Sequence, residues 1–434
     1  MSLKASYITL GCKLNYAETS TYERSLLKAG IQTVPWNEGA DLYIINTCSV
    51  TEHSDRKSRN IIRKVHKISP DATIVVTGCY AHLKREEVEA IEGVSLVFGA
   101  EEKSLLVSRT LSYLGDKGLG KFTYDDPAES YKETFPAYSG GEERTRAFLK
   151  VQDGCDNFCA YCAVPFARGR SRSISIANAV SNAKKIAEAG IKEIVITGVN
   201  TGDFGRKNGE TFLDLIKALN EVEGIERYRI SSIEPNLLSD ETIDWIASGT
   251  KFLPHFHIPL QSGSDALLKD VGRRYDTDFF ARKIEYIRKR LNPSEGETNP
   301  DGSKKPEVFF GIDVITGLPG ETEELFLETY NYLKDRIKPA FIHIFPYSRR
   351  PGTRSAMRKD QVQDCIKTKR VEMLEELSRC LNAEFIERNR GVKEKVLFED
   401  SCHDGKISGY TGNYIKVERE WDKSLAGKIE EVIL

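Results

Sequence analysis

Along residues 1–140 the apolar positions fall into short, continuous runs, each stopped by a polar or glycine-bearing stretch. "ASYITLGC" stops at Gly11-Cys12, "DLYIINTC" at Cys48 and "TIVVTGC" at Cys79. Each run is β-branched and unbroken, the pattern of a strand buried on both faces. Helical stretches follow: "YAETSTYERSLLKAG", "EHSDRKSRNIIRKVHKI" and "LKREEVEAIEG", the first and last ending in Gly, a common helix stop. Strand–helix alternation of this kind predicts an open parallel sheet. Residues 115–145 are polar, Gly-containing and aperiodic, and read as an interdomain linker.

The alternation then resumes. "AFLKVQ", "EIVITG" (193–198), "RYRISSI" (227–233), "HFHIPL" (255–260), "VFFGIDVI" (308–315) and "FIHIFPY" (341–347) read as six strands, with helical stretches such as 175–190 and 212–222 between them. This predicts a partial α/β barrel with its ligand groups at the carboxyl ends of the strands. Residues 292–307, rich in Pro, Gly and charge, read as a mobile insertion without chemistry. Residues 359–390 read as one long helix, with Cys365, Met373, Leu374, Leu377 and Leu381 roughly at helical spacing, so Cys365 and Cys380 are expected to pack. Short alternating strands with Gly turns follow and read as a small β-barrel. The expected class is α/β in three parts. These are an N-terminal open parallel-sheet domain (1–140), a central partial (β/α)6 barrel (141–375), and a linking helix with a small C-terminal β-barrel (376–434).

Composition adds a compartment rather than a fold. The 434 residues are 40% hydrophobic and 29% charged, with a net charge of -2, which excludes a globally basic polyanion binder and confines nucleic-acid contact to local patches. No apolar run approaches the roughly 20 residues of a membrane helix, and the N-terminus carries no signal-peptide pattern. A cytoplasmic protein without membrane contact is expected. There thiols stay reduced, so nine clustered cysteines point to metal or redox chemistry rather than a disulfide framework.

The geometry of a parallel sheet gives the first cysteines meaning. Its carboxyl ends share one edge, where ligands bind, so Cys12, Cys48 and Cys79 converge there, or else are three inert core thiols. The second set is local: Cys155, Cys159 and Cys162 in "GCDNFCAYC", spaced C-x3-C-x2-C, with the next His only at His255. Structural zinc takes four protein ligands, and a cubane iron–sulfur cluster usually takes four cysteines. Three leave one metal position open.

That loop, with aromatic Tyr161 just before its last Cys, resembles the signature of radical S-adenosylmethionine (SAM) enzymes. The resemblance implies a 4Fe–4S cluster whose open iron is chelated by SAM and which yields a 5′-deoxyadenosyl radical. At the expected barrel mouth Gly198, Asn200, Ser232, Glu234, Gln261 and the "LPGE" turn (318–321) are then candidate SAM contacts, and Arg273 a candidate partner of the SAM carboxylate.

"TLGCKLNYAET", "INTCSVT", "TGCYA" and "GCDNFCAYC", with "HIPLQSGSD", "GIDVITGLPGE" and "FPYSRRPGT", together resemble the methylthiotransferase family across nearly the whole chain. The resemblance implies two 4Fe–4S clusters, on Cys12, Cys48 and Cys79 and on Cys155, Cys159 and Cys162, and two uses of SAM. One molecule methylates a sulfur held at the N-terminal cluster; another yields the radical that takes a hydrogen from the substrate carbon. "GCKLN" and "PFARGRSRS" look like the branch that acts on N6-threonylcarbamoyladenosine at tRNA position 37. Other branches act on isopentenyladenosine at that position or on a ribosomal-protein aspartate. Expected partners are the tRNA anticodon stem-loop and an electron donor such as flavodoxin or ferredoxin.

The C-terminal barrel resembles the RNA-binding TRAM domain, with Tyr410 and Tyr414 free to stack on bases or to pack. Its seven Lys/Arg against nine Asp/Glu from Lys393 onward do not by themselves favour RNA. Three basic runs, 56–67, 167–173 and 348–354, follow strand ends and are expected either to rim the mouth for a phosphate backbone or to be plain solvated faces. A non-catalytic alternative, a metal-stabilised RNA-binding protein, would need its metal only to fold.

Overall fold

The computed structural model describes residues 3–122, 135–139, 145–294, 297–298 and 304–434. Its first sheet holds β1 (Lys4–Thr9), β2 (Gln32–Thr33), β3 (Leu42–Thr47), β4 (Thr73–Gly78) and β5 (Val94–Phe98), all parallel, in the order β2-β1-β3-β4-β5. Every residue of β3 and β4 is buried, as their unbroken apolar runs require. Two apolar layers, around Ile45 and Val76 on one face and Ile44 and Val75 on the other, pack the sheet under its helices. These are α1 (Lys13–Lys28), α2 (Glu52–Ile68), α3 (Cys79–Leu83), α4 (Arg85–Glu89) and α5 (Leu106–Asp116). The Thr51 hydroxyl accepts from the Ser54 amide and starts α2. The third expected helical stretch, 83–93, holds only the short α4, and a separate turn of helix, α3, precedes it, ended by Lys84 at φ -132°.

The expected linker has structure at its described ends. α5 runs through Asp116, and β6 (Ala137–Tyr138) pairs antiparallel with β7 (Arg146–Lys150). The linker expectation for 123–134 and 140–144 lies outside the described residues. β8 (Gln152–Asp153) and β9 (Arg172–Ser173) form a small antiparallel pair that brackets the second cysteine loop.

The central domain is the expected partial barrel. β7, β10 (Glu193–Thr197) and β11 (Arg227–Ile230) are parallel, as are β12 (His255–Gln261), β13 (Phe309–Thr316) and β14 (Phe341–Pro346). Parallel bridges Tyr228–Phe252 and Ser232–His257 join the two halves. Much of 292–307 lies outside the described residues; within it, Thr298 and Lys304 form an antiparallel bridge.

The long helix spans Asp364–Arg388 and buries Leu374, Leu377 and Leu381 against the barrel. Cys365 and Cys380 are exposed, so the expectation that they pack is corrected: they lie off the buried leucine face. Four antiparallel strands follow, β15 (Lys393–His403), β16 (Lys406–Tyr410), β17 (Lys416–Glu420) and β18 (Ile429–Ile433), curled as a half-barrel over Val396, Phe398 and Ile407. Tyr410 and Tyr414 stack on each other at 4.8 Å, with the Arg146 guanidinium over both, so they pack at the junction with the barrel. Among the described residues no helix is long and apolar enough to cross a membrane.

Candidate active site

β1, β3 and β4 end on one sheet edge, and Cys12, Cys48 and Cys79 follow those ends. The approach depends on two glycines. Gly11 and Gly78 both have φ +99°; a Cβ on Gly11 would lie 2.8 Å from Cys48 Sγ, and one on Gly78 would lie 2.2 Å from the Thr47 carbonyl oxygen. Only glycine takes this backbone and this contact without strain. Burial pushes the Cys48 thiol up to about 11. Burial also raises Cys79, against the opposing pull of Arg168 and Lys103.

The second set sits in the loop between β8 and β9. The Cys155 amide donates to the Gly169 carbonyl at 3.1 Å and the Cys162 amide to the Cys159 carbonyl at 3.0 Å. Burial raises Cys155 to about 11 and Cys162 to about 12. Thiols this weakly acidic stay protonated at neutral pH unless a metal displaces the proton. Neither set draws its three sulfurs within 4.8 Å of one another, the span a single ion needs. A cubane, whose thiolates sit on separate irons, fits the wider spacing and the absent fourth cysteine.

Among the described residues only His257, Asp313 and His343 bring ligand atoms within 4.8 Å. His257 Nε2 lies 2.5 Å from Asp313 Oδ1. That is a hydrogen bond, shorter than the roughly 3 Å that separates two ligands around one zinc.

One cleft of about 350 Å³ joins the two sets. It is lined by Cys79 from the first and by Cys155, Cys159 and Cys162 from the second. Tyr161, Asn200, Ser232, Glu234, Gln261 and Arg273 line it as well. Gln261 holds φ +74° at the bulged end of β12, a strained setting for a non-glycine residue of the kind that clusters at ligand sites. Arg273 is already engaged: Nη2 is 2.9 Å from Glu234 Oε1 and Nη1 is 3.4 Å from Cys159 Sγ. Gly198 is not part of the lining. A Cβ there would lie 2.9 Å from Gln152 Oε1, and that oxygen accepts from the Asn200 amide at 3.0 Å. In the "LPGE" turn, Glu321 accepts from the Gly317 amide and pairs with Arg370 at 2.6 Å, pinning the turn to the long helix.

Behind the first set lies a buried ionic network that sequence reasoning missed. Glu18 of α1 is fully buried and contacts Lys103 at 2.8 Å, Lys150 at 2.6 Å and Arg168 at 3.3 Å. Arg168 also donates to Asp153 at 2.9 Å and to Asn15 Oδ1 at 2.5 Å, and reaches Cys12 Sγ at 3.8 Å. Burial alone would raise the Glu18 and Asp153 carboxyls; the surrounding lysines and Arg168 outweigh it and hold both well below the usual carboxylate range. Arg168 and Arg350 belong to two of the basic runs, yet both are buried. Arg350 donates to Ser49 at 2.6 Å and to Asp55 at 3.0 Å, beside Cys48. These two arginines tie the barrel to the N-terminal sheet, and only their neighbours Arg170, Arg349 and Arg354 remain exposed.

Comparison with known proteins agrees with this arrangement. Residues 4–99 match the model of Uncharacterized protein family UPF0004, and residues 149–333 that of the Radical SAM superfamily. Threonylcarbamoyladenosine tRNA methylthiotransferase MtaB of Bacillus subtilis is 37% identical, over 98% of this chain and 92% of its own length. The protein of that name from Aquifex aeolicus is 34% identical over the whole of both chains. A tRNA-2-methylthio-N(6)-dimethylallyladenosine synthase from Nitratidesulfovibrio vulgaris is 31% identical over 90% of this chain and 85% of its own. Among solved structures, the radical S-adenosylmethionine methyltransferase TsrM from Kitasatospora setae superposes with a TM-score of 0.57 at 15% identity, over 82% of this chain and 75% of that one, a likeness of fold. Two converging cysteine triads, the parallel-sheet and barrel architecture and full-length relatives at this identity together mean that the chain belongs to the radical SAM tRNA methylthiotransferase family.

Proposed function

We propose that this transferase inserts a methylthio group at C2 of N6-threonylcarbamoyladenosine 37 of tRNA. The observation that carries the reading is the single cleft bordered by cysteines of both sets. In this reading Cys12, Cys48 and Cys79 hold one 4Fe–4S cluster and Cys155, Cys159 and Cys162 a second; bound there, they supply an open iron for the donated sulfur and an electron for SAM cleavage. The chain's own groups do the positioning. Glu234 and Arg273, paired in the cleft, face the amino and carboxylate ends of SAM, while Asn200, Ser232 and Gln261 offer it hydrogen bonds. Tyr161 forms an apolar wall with Val271 and Ile315. Gly198 acts indirectly, by letting Gln152 reach the Asn200 amide. The names of the full-length relatives support the threonylcarbamoyl branch.

The chain divides as 1–140 for the first cluster, 141–375 for SAM and 376–434 for the linking helix and a TRAM-like module. The anticodon stem-loop lies across exposed Arg56, Lys57, Arg63 and Lys64 of α2 and Arg170 beside the second loop. Two SAM molecules are used per product, a flavodoxin or ferredoxin supplies electrons, and the enzyme works in the cytoplasm, where its tRNA is.

The test is iron and sulfide content after anaerobic reconstitution, for wild type and for a variant with Ala at Cys155, Cys159 and Cys162. About eight irons falling to about four supports two cubanes; about four falling to none means the first set is core packing, and the sulfur chemistry is given up. Loss of Cys12, Cys48 or Cys79 should spare SAM cleavage and stop insertion. Nucleoside analysis of tRNA from a deletion strain then separates threonylcarbamoyl- from isopentenyladenosine, and an unchanged tRNA points to a ribosomal-protein substrate.

A further inference from the structure

Two exposed apolar side chains line the cleft, one from each domain. Phe345, near the carboxyl end of β14, is 46% exposed, and Val50, after β3, is 56% exposed. The segments that carry them are tied together. The Glu52 amide donates to the Ser348 hydroxyl at 3.4 Å, and Arg350 donates to Ser49 at 2.6 Å. Val50 and Phe345 therefore flank the junction where the sheet domain meets the barrel. Single exposed hydrophobics are common on any surface. These two share the wall of one cleft, and that cleft leads to cysteines of both sets.

The strand sets where Phe345 points. Alternate residues of a strand share a face, so Phe345 lies on the face of β14 that also carries Phe341 and His343. The His343 ring stacks on His257 of β12 at 4.6 Å and meets Phe341 edge-on at 4.8 Å. Phe345 is the last of this row, in register with Ile315 of β13, another residue of the cleft wall. Among the described residues its ring stacks on no other aromatic ring. Exposed cations stand on both sides of the junction, Arg56 and Lys57 on α2 and Arg349 after β14. An open aromatic face flanked by cations suits a nucleotide, whose base stacks while its phosphates meet the charges.

We propose that Phe345 is the stacking platform for the extruded base of nucleotide 37, with Val50 as an apolar contact from the opposite segment. This rests on the proposed function, because it takes the substrate to be a tRNA nucleotide. C2 lies on the edge of the adenine ring, so the base reaches the cysteine sets edge-first, and only after leaving the stack of its loop. An extruded base loses the neighbours that covered its faces, and a protein that holds one supplies aromatic and apolar side chains in their place. A phenyl ring meets the face of adenine whatever N6 carries. Phe345 therefore holds the base in the cleft without choosing between the threonylcarbamoyl and isopentenyl substituents. The aspartate of a protein substrate has no flat face to set against it.

The test measures equilibrium binding of two anticodon stem-loop RNAs to the reconstituted enzyme, one carrying threonylcarbamoyladenosine at position 37 and one with an abasic site there. Wild type, Phe345→Ala and Phe345→Tyr are compared, with iron content and thermal unfolding as controls on the fold. Wild type is expected to bind the intact RNA more tightly. Phe345→Ala should cut that preference by about 5- to 100-fold, the range of one base–aromatic stack, and leave the abasic RNA unchanged. Phe345→Tyr keeps the ring and should keep the preference. If Phe345→Ala weakens both RNAs equally, or neither, Phe345 does not hold the base. If wild type transfers no methylthio group to the intact RNA or to its isopentenyl counterpart, the tRNA reading itself fails, and this inference with it.

Discussion

Cys155, Cys159 and Cys162 lie in one loop, while Cys12, Cys48 and Cys79 arrive at the ends of three separate strands. The two sets nevertheless share a design. Each has an arginine against one of its sulfurs: Arg273 at 3.4 Å from Cys159 and Arg168 at 3.8 Å from Cys12. Each arginine is held by buried acids, Glu234 in one case and Glu18 with Asp153 in the other. The difference is where the arginine comes from. Arg273 belongs to the same barrel as its cysteines, but Arg168 reaches across from the barrel to the N-terminal sheet. The local set therefore needs only its own loop and barrel, whereas the dispersed set needs the sheet and the docking of two domains.

The largest expected effect follows from that dependence. Arg168→Ala leaves Glu18 and Asp153 buried with one cation fewer, and breaking such a buried pair costs about 3–5 kcal/mol. Chemical denaturation should show this loss, and the irons held by the N-terminal set should be lost before those of the loop. The acid dependence has a definite sign. Glu18 and Asp153 are held below their unfolded values, so their contribution is present above about pH 4, where the unfolded carboxylates are ionised, and is lost as the pH falls through that range. The stability gap between wild type and Glu18→Gln should shrink on acidification. A gap that stays constant from about pH 7 to about pH 3 would show that these carboxylates are not held by the network.

How far the sequence was readable follows the same divide. The strands ending in Cys12, Cys48 and Cys79 and the six barrel strands announce themselves because a strand buried on both faces must be an unbroken apolar run. The short edge strands Gln32–Thr33 and Val94–Phe98 carry too little pattern to be seen. Glu18, Lys103, Lys150, Asp153 and Arg168 were not legible as a group. Glu18, Lys103 and Arg168 sit in stretches that read as solvated, Lys150 and Asp153 close a strand whose charges carry no signal of a partner, and the four segments meet only after folding. Arg168 and Arg350 misled for that reason: a basic run looks like one surface, but its members point different ways. Cleft residues such as Asn200 and Gln261 were found because strand ends in a barrel share one rim; the strained backbone of Gln261 has no sequence signature.

A smaller effect separates backbone freedom from close approach at the dispersed set. Gly78→Ala puts a side chain at φ +99° and 2.2 Å from the Thr47 carbonyl oxygen. Gly190→Ala puts one at φ +81° with nothing within 4 Å. The second substitution should cost only the conformational strain of about 1–2 kcal/mol. The first should cost more and also displace Cys48 from Cys79, so that N-terminal iron falls while SAM cleavage persists. Equal thermal shifts and equal iron in the two variants would mean that the strand ends need not touch to build the site.

The smallest effect concerns the cysteines outside both sets. Cys365, Cys380 and Cys402 are all exposed, the first two on a helix whose buried face is made of leucines and the third on a strand. Their neighbours offer only weak sulfur contacts, from Cys365 to Gln363 and from Cys380 to Glu376, each at 3.7 Å. Replacing all three by Ser changes no buried volume, so stability should move by less than about 0.5 kcal/mol per site, as for ordinary surface changes. Iron and sulfide should stay at wild-type levels, because neither triad draws a fourth thiolate from them. A fall in iron would identify a distant cysteine as a ligand and close a position that both triads are argued to leave open. Retention of full iron by a chain whose remaining cysteines are only the six would bring the comparison down to three against three, with an open position on each side of one cleft.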